Sequence, residues 1–540
     1  MGSAAKRMRE LLGGTLTAGR SLLWLVAGVT LIRLALVFAT PLELYPDEAQ
    51  YWVWSRDLAF GYFSKPPVIA WLIHLTTALA GNGEAGVRLA APLLHGGAGL
   101  ALGATGRRLY GGWTGVVAAA LYLLMPGTML SSLVIATDAP LLMFSSLGLL
   151  IYVALGDEPD AGGRRALLLA MGLGIATGLA FLSKYAALYL AGGIALHAAV
   201  IRDARLRWRP LTLSAVVAAC LVVIAPNLLW NASHHFQTLA HAVDNADVTG
   251  ASKRVALTDP RGGLGFIIGQ FGVFGPVPFA VLAGGAAWLV WRRRMEAADR
   301  LLLCFIIPPL ILIWGEAFIV RANANWAGAA YPAAAILTAG MLTRWRAMRT
   351  LWVAVGTGAL ISLVFGAVMI SPALADRLGA ANSLKRARGW RVEAQAVTAQ
   401  TASSHYSAVA VDERFLFNAL AYYGRGGRGQ SGGGYGTPLL VWVRGGKPAN
   451  QAEASAPLTT AYGERVLLAF GSEEALASAA KNFVAVTPIR TVPVALDRKH
   501  SRTLILAEGR GYHPSGVALP YFGTSPQSAL RTLSRPQPTR

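Results

Sequence analysis

The sequence predicts a polytopic, mainly α-helical membrane protein that ends in a soluble α/β domain. Three observations predict it. Apolar runs of bilayer-crossing length recur from residue 21 to residue 370. Only 14% of the 540 residues are charged, with a mean hydropathy of +0.47, where a soluble domain carries about 25% charged residues. After residue 370 the texture changes to short β-rich runs alternating with Ala-rich stretches.

The chain carries 48 Lys and Arg against 27 Asp and Glu, a net charge of +21. The basic residues are spread between apolar runs rather than gathered on one domain. That suits anionic lipid headgroups and a positive inner face, and it argues against a nucleic-acid partner. Cys220 and Cys304 both sit inside apolar runs, so neither a disulfide framework nor a cysteine metal cluster is indicated.

Residues 1–20 are basic and precede an apolar run at 21–40. That run is long for the core of a cleaved signal, and Ala39-Thr40-Pro41 is a poor cleavage site, so a retained helix is expected. Further spans are expected near 88–106, 113–130, 138–155, 166–182, 186–201, 211–230, 264–291, 301–320, 326–343 and 351–370, about eleven in all. The run 264–291 has room for a break at Pro276 or Pro278. Alternation puts the N-terminus and five short loops inside with 19 Lys and Arg, while the outer segments carry eight. This is the inward bias that the orientation rule requires.

Segment 371–540 then falls outside. Ser407–Val411, Leu439–Val443, Arg465–Phe470 and Thr503–Ala507 are expected strands, with 471–481 helical. The Gly-rich stretch 424–436 lacks the strand–GxxxxGK[ST]–helix arrangement of a phosphate loop and is expected to be a mobile loop. The residues from about Ser525 are expected to be disordered.

Polar residues concentrate in the outer loops, above all in 41–87. Pro46 marks a helix start, with Asp47 and Glu48 in its first turn. Complementing the helix dipole is the bland role for such acids. Spacing also places Asp47, Gln50, Tyr51 and Trp54 on one face, and a carboxylate beside aromatics can hold a sugar ring and deprotonate a hydroxyl. Lys65 precedes Pro66-Pro67 and a new amphipathic helix over 68–80, a rigid setting for a cation that meets phosphate. Arg88, Lys184 and Arg321 are further outer-side cations, and mid-span Arg33 should face the interior and pair. Thr137 is expected to cap the helix that Asp138 opens. His234, His235, His241, Asp244 and Asp247 are metal-capable residues at spacings that match no familiar metal motif.

Asp47-Glu48-Ala-Gln-Tyr51-Trp52, Lys65-Pro66-Pro67, Thr137-Asp138-Ala-Pro140, Leu182-Ser-Lys184-Tyr185 and Ala324-Asn325-Trp326 occur in that order. Together they resemble bacterial members of the protein O-mannosyltransferase superfamily, which includes the aminoarabinose transferases that modify lipid A. The resemblance covers about residues 20–370. It implies a GT-C membrane glycosyltransferase of the bacterial inner membrane, with a cytoplasmic N-terminus and catalysis on the periplasmic side. On that reading residues 21–370 form the catalytic membrane domain, with periplasmic loop 41–87, and 371–540 form a periplasmic α/β domain.

The resemblance implies a polyprenyl-phosphate-linked sugar as donor and a lipid or glycan acceptor. Asp47 takes the catalytic position with Glu48 beside it. Lys65, with Arg321, Lys184 and Arg88, would meet the donor phosphate. Tyr51, Trp54, Asp138, Asn325 and Trp326 would line the substrate. No organic cofactor is implied. Aminoarabinose transferases hold a zinc ion through a glutamate directly before the lysine and a later histidine; Ser64 and Asn245 stand there in this chain, so no metal ligand is assigned and a divalent ion stays optional. Two readings from other classes compete: a lipid or glycolipid transporter, for which no internal repeat is found, and an oligosaccharide polymerase or ligase, which would lack the early acidic pair.

Overall fold

The computed structural model describes residues 2–160, 162–238, 240, 260–319, 322–379, 381–425, 435–446 and 448–514, with side chains from Leu16 onward. Arg321, His241, Asp244, Asn245 and Asp247, most of the Gly-rich stretch and the tail from Ser525 lie outside these residues. The chain forms two compact units. The first comprises Met1–Ala39, Lys65–Ile69 and Arg88–Ala367; the second comprises Thr40–Ser64, Ala70–Val87 and Val368–Arg540.

In the first unit a helix forms in each of the eleven expected stretches. Among the described residues six helices are long and apolar enough to cross a membrane, or up to eight if each of two bent pairs is one span, fewer than the eleven expected. One pair, Pro260–Val273 and Pro276–Trp291, bends by 117°. The break falls at Gly275, whose φ of +100° a side chain would resist, just before Pro276, which cannot donate to the preceding turn. Lipid offers helices no hydrophobic reason to associate, so close packing of small residues does it instead. A Cβ on Gly174 would strike the Val216 carbonyl, so helix Arg164–Ser183 lies directly against helix Pro210–Ser233.

Polar side chains inside this unit are mostly paired. Asp299 is fully buried and takes two hydrogen bonds from Arg344, at 2.8 and 3.1 Å, and one from the Tyr110 hydroxyl at 2.6 Å. His95 bridges the Tyr122 hydroxyl at 2.8 Å and the Ser131 hydroxyl at 3.0 Å. Arg33 faces the interior as expected and donates to the Leu123 carbonyl. It has no carboxylate partner among the described residues, and its Nε and Nη1 are unbonded there.

The second unit holds a five-stranded sheet. Its strands are β1 Ala408–Val411, β2 Leu439–Val441, β3 Arg465–Phe470, β4 Phe483–Ala495 and β5 Ser501–Tyr512, in the order β2-β1-β3-β5-β4. β1 runs parallel to β2 and β3, and β5 is antiparallel to β3 and β4. The four strands read from sequence are all present, and the helix expected at 471–481 forms over Glu473–Ala480. β4 escaped that reading. It is an edge strand, mostly exposed, with Pro488 and Pro493 in its run, and prolines are tolerated only at such edges.

Candidate active site

Helix Pro46–Trp54 begins with proline at its first turn, where a missing N–H costs nothing. Tyr45 stands at the cap position, and the fully buried Glu48 carboxylate accepts its backbone N–H at 2.9 Å. One of the two adjacent acids therefore holds the helix start. The other, Asp47, is half-buried and makes no hydrogen bond or ion pair with any described residue. Gln50, Tyr51 and Trp54 are buried on the same short helix. Tyr51 and Trp54 pack with ring centroids 5.5 Å apart, and Trp54 stacks on Tyr62 at 4.8 Å.

The segment before this helix is anchored within the second unit. Glu43 accepts the backbone N–H groups of Trp390 at 2.6 Å and Arg391 at 3.3 Å, at the start of helix Trp390–Ser403. The Leu44 N–H donates to the Tyr423 hydroxyl at 2.6 Å. Burial pushes the Glu43 carboxyl above its ordinary range, against the two N–H donors. Sequence spacing gave no sign of these contacts, because the partners lie more than 300 residues away.

The predicted cations belong to the first unit. Lys65 is partly exposed and Arg88 is fully buried. Lys184 and Asp138 form an ion pair at 2.8 Å, each about one quarter exposed. Two residues expected to meet substrate thus meet each other. Thr137 occupies the cap position of helix Asp138–Gly156 but its side chain makes no capping bond. Asn325 is exposed and Trp326 half-buried in the 3-10 helix Ala324–Ala330. That turn is tied down by Gln270, which donates to the Ala324 carbonyl at 3.3 Å and accepts from Tyr331.

No three His, Cys, Asp or Glu side chains converge on a metal position among the described residues. His234 stacks on Trp230, with centroids 4.0 Å apart, and bonds locally to Ser233. Ser64 stands directly before Lys65. Among the described residues none form a zinc site, and Ser64 offers no carboxylate beside Lys65.

A polytopic helical unit, an acidic pair opening the helix Pro46–Trp54 and a small α/β unit together make an architecture of the GT-C type. A family model described as dolichyl-phosphate-mannose-protein mannosyltransferase matches residues 64–230. Over 331 residues the chain is 39% identical to the lipid A galacturonosyltransferase RgtD of Rhizobium johnstonii. That alignment spans 60% of this chain and 66% of the relative, just under two thirds of its length. The fold matches the crystal structure of apo ArnT from Cupriavidus metallidurans with a TM-score of 0.62 at 17% identity, over 89% of this chain and 97% of that one. The undecaprenyl phosphate complex of the same enzyme matches at 0.58 and 18% identity, over the same shares of the two chains. The fold is of the GT-C type, and part of the chain is similar in sequence to a mannosyltransferase family model and to a lipid A galacturonosyltransferase.

Proposed function

We propose that this protein moves a sugar from a polyprenyl-phosphate-linked donor to lipid A, lipopolysaccharide core or another cell-envelope glycan, at the periplasmic side of the inner membrane. The observation that carries the reading is Asp47. It is a half-buried carboxylate with no partner among the described residues, beside an acid already occupied as a cap and on the helix that carries the Tyr51–Trp54 pair. Such a group is available to take a proton. The likeness to a lipid A galacturonosyltransferase and to a protein crystallised with undecaprenyl phosphate supports the choice of acceptor and donor.

In the mechanism, Asp47 accepts the acceptor hydroxyl proton as the oxygen attacks the anomeric carbon. The bond to the lipid phosphate breaks, the anomeric configuration inverts, and the phosphate leaves with the bonding electron pair. Lys65 and Arg321 stabilise the charge that grows on it. Lys184 enters only as the partner of Asp138, so its charge is largely answered before any phosphate arrives. Glu48 fixes the helix that carries the base rather than sharing its proton.

The test is a purified enzyme given polyprenyl-phosphate-linked sugars, a galacturonosyl donor first, with lipid A as acceptor. Release of polyprenyl phosphate matched one for one by glycosylated acceptor is the expected result. Donor binding with no release for any sugar would favour a lipid transporter instead.

A further inference from the structure

In the second unit the guanidinium groups of Arg56 and Arg425 share one asparagine, and no carboxylate answers either of them among the described residues. Arg56 follows helix Pro46–Trp54. Its Nη1 donates to Asn82 Oδ1 at 3.1 Å, and its Nη2 donates to Ser55 Oγ at 2.8 Å and Thr77 Oγ1 at 2.6 Å. Arg425 donates through Nη2 to the Asn82 backbone carbonyl at 2.6 Å and through Nη1 to the Tyr422 carbonyl. Both guanidinium carbons lie over the Trp52 ring, 5.1 and 5.0 Å from its centroid, and Arg425 lies 3.4 Å from the Tyr422 centroid. The Trp52 Nε1 donates to the same Asn82 Oδ1 at 3.0 Å. One asparagine and one indole therefore hold two cations side by side.

Arg490 of this unit also lacks a carboxylate among the described residues and donates to the Ala396 carbonyl at 3.0 Å, whereas other arginines are answered. Arg388, Arg391, Arg465 and Arg502 each pair with an acid, and Arg391 takes the nearby Glu84 at 2.6 Å. Among the described residues every acceptor of Arg56 and Arg425 is neutral, which sets orientation without cancelling charge. Burial first, and the neighbouring Arg425 second, push the Arg56 pKa down to about 10. Both arginines are partly exposed and Asn82 is exposed, so an outside anion can reach the pair. Arg56 spends Nε and Nη2 on Ser55 and Thr77 and one Nη1 hydrogen on Asn82, so it adds charge and one remaining donor, while Arg425 keeps its Nε edge; together they suit an anionic oxygen group.

We propose that Arg56 and Arg425, positioned by Asn82 and Trp52, form a binding site for a phosphate monoester, the chemistry carried by a phosphorylated lipid headgroup or by free phosphate. In a transferase the site would grip an amphiphilic acceptor by its phosphate, away from the hydroxyl that reacts; this identification of the lipid as acceptor rests on the transfer reading above. The anion site itself does not.

The probe is phosphatidic acid, whose headgroup is a phosphate monoester, with phosphatidylcholine as comparison. Retention on the full chain in detergent is read by native mass spectrometry, and inorganic phosphate is added as competitor. Wild type should retain phosphatidic acid at least about tenfold more tightly than phosphatidylcholine, and Arg56→Gln and Arg425→Gln should each weaken it about tenfold. Lys481→Gln, an exposed cation elsewhere in the unit, should change nothing. Displacement by equimolar inorganic phosphate identifies free phosphate as the ligand; resistance to it identifies the lipid headgroup.

Arg56→Lys with Arg425→Lys keeps the charge and loses the guanidinium donors, so it should recover part of the binding if a glutamine variant fails to fold. Equal retention of the two lipids, or unchanged retention in a folded double glutamine variant, overturns the proposal. Asp47→Asn separates the two readings: it should stop polyprenyl phosphate release and leave phosphatidic acid retention intact.

Discussion

Replacing Glu393 by Gln asks how much of the second unit's stability depends on one buried carboxyl. Glu393 is 2% exposed, and its Oε1 accepts from Arg502 Nε at 2.5 Å. Its Oε2 has no hydrogen-bond partner among the described residues. Desolvation is the main cause that pushes its pKa from 4.5 up to about 7; Arg502 opposes the rise, and the charges of Glu413 and Glu43 add to it. The folded protein therefore holds this proton more tightly than the unfolded chain does. The stabilisation is fully present below about pH 4.5 and is lost as pH rises through about 7, for a total of about 3 kcal/mol. Thermal unfolding of the full chain, followed by near-ultraviolet circular dichroism between pH 5 and pH 8, reads it directly. Wild type should melt lower as pH rises. In Glu393→Gln the fall should shrink without vanishing, because Asp412, Glu413 and Glu43 are also raised by burial. An equal slope in both proteins, or a wild type that gains stability with pH, would refute the reasoning.

Three further outcomes are expected. Asp299→Ala leaves the Tyr110 hydroxyl without its acceptor and Arg344 with Glu296 alone, at 2.8 Å, and should cost about 1–3 kcal/mol, read as a lower melting temperature in a thermal stability assay. Asp138→Asn breaks a pair that is about one quarter exposed on each side, so it should cost no more than about 1 kcal/mol; a larger drop in melting temperature would mean the pair is more tightly enclosed. Lys65→Ala should raise the KM for the lipid-linked donor by about tenfold or more with the acceptor KM unchanged. An unaltered donor KM would remove Lys65 from the phosphate.

Much of the membrane unit was legible because apolar run length is a direct consequence of bilayer thickness. The bend in 264–291 was legible too, since Pro276 cannot continue the hydrogen-bond ladder of the helix before it. Pro46 marked a helix start for the same reason in reverse. Glu48 was harder. A cap position filled by Tyr45 gives no capping-box signal, so the acid read as a second catalytic candidate when its carboxylate holds the Tyr45 N–H. The pairing of Lys184 with Asp138 joins residues 46 apart, and a cation at a span junction carries no sign of whether its partner is protein or ligand. The Arg56–Asn82–Arg425 arrangement spans 343 residues between Asn82 and Arg425, and only the folded chain brings those residues together. β4 was missed because an exposed, proline-containing edge strand shows no alternation to read.

The most direct measurement is single-turnover transfer by Asp47→Asn against wild type, with folding verified by melting temperature and donor binding measured in parallel. A lost general base should slow the chemical step by about a hundredfold to ten-thousandfold, with the donor still bound. Wild-type rates from a folded Asp47→Asn protein would contradict the account.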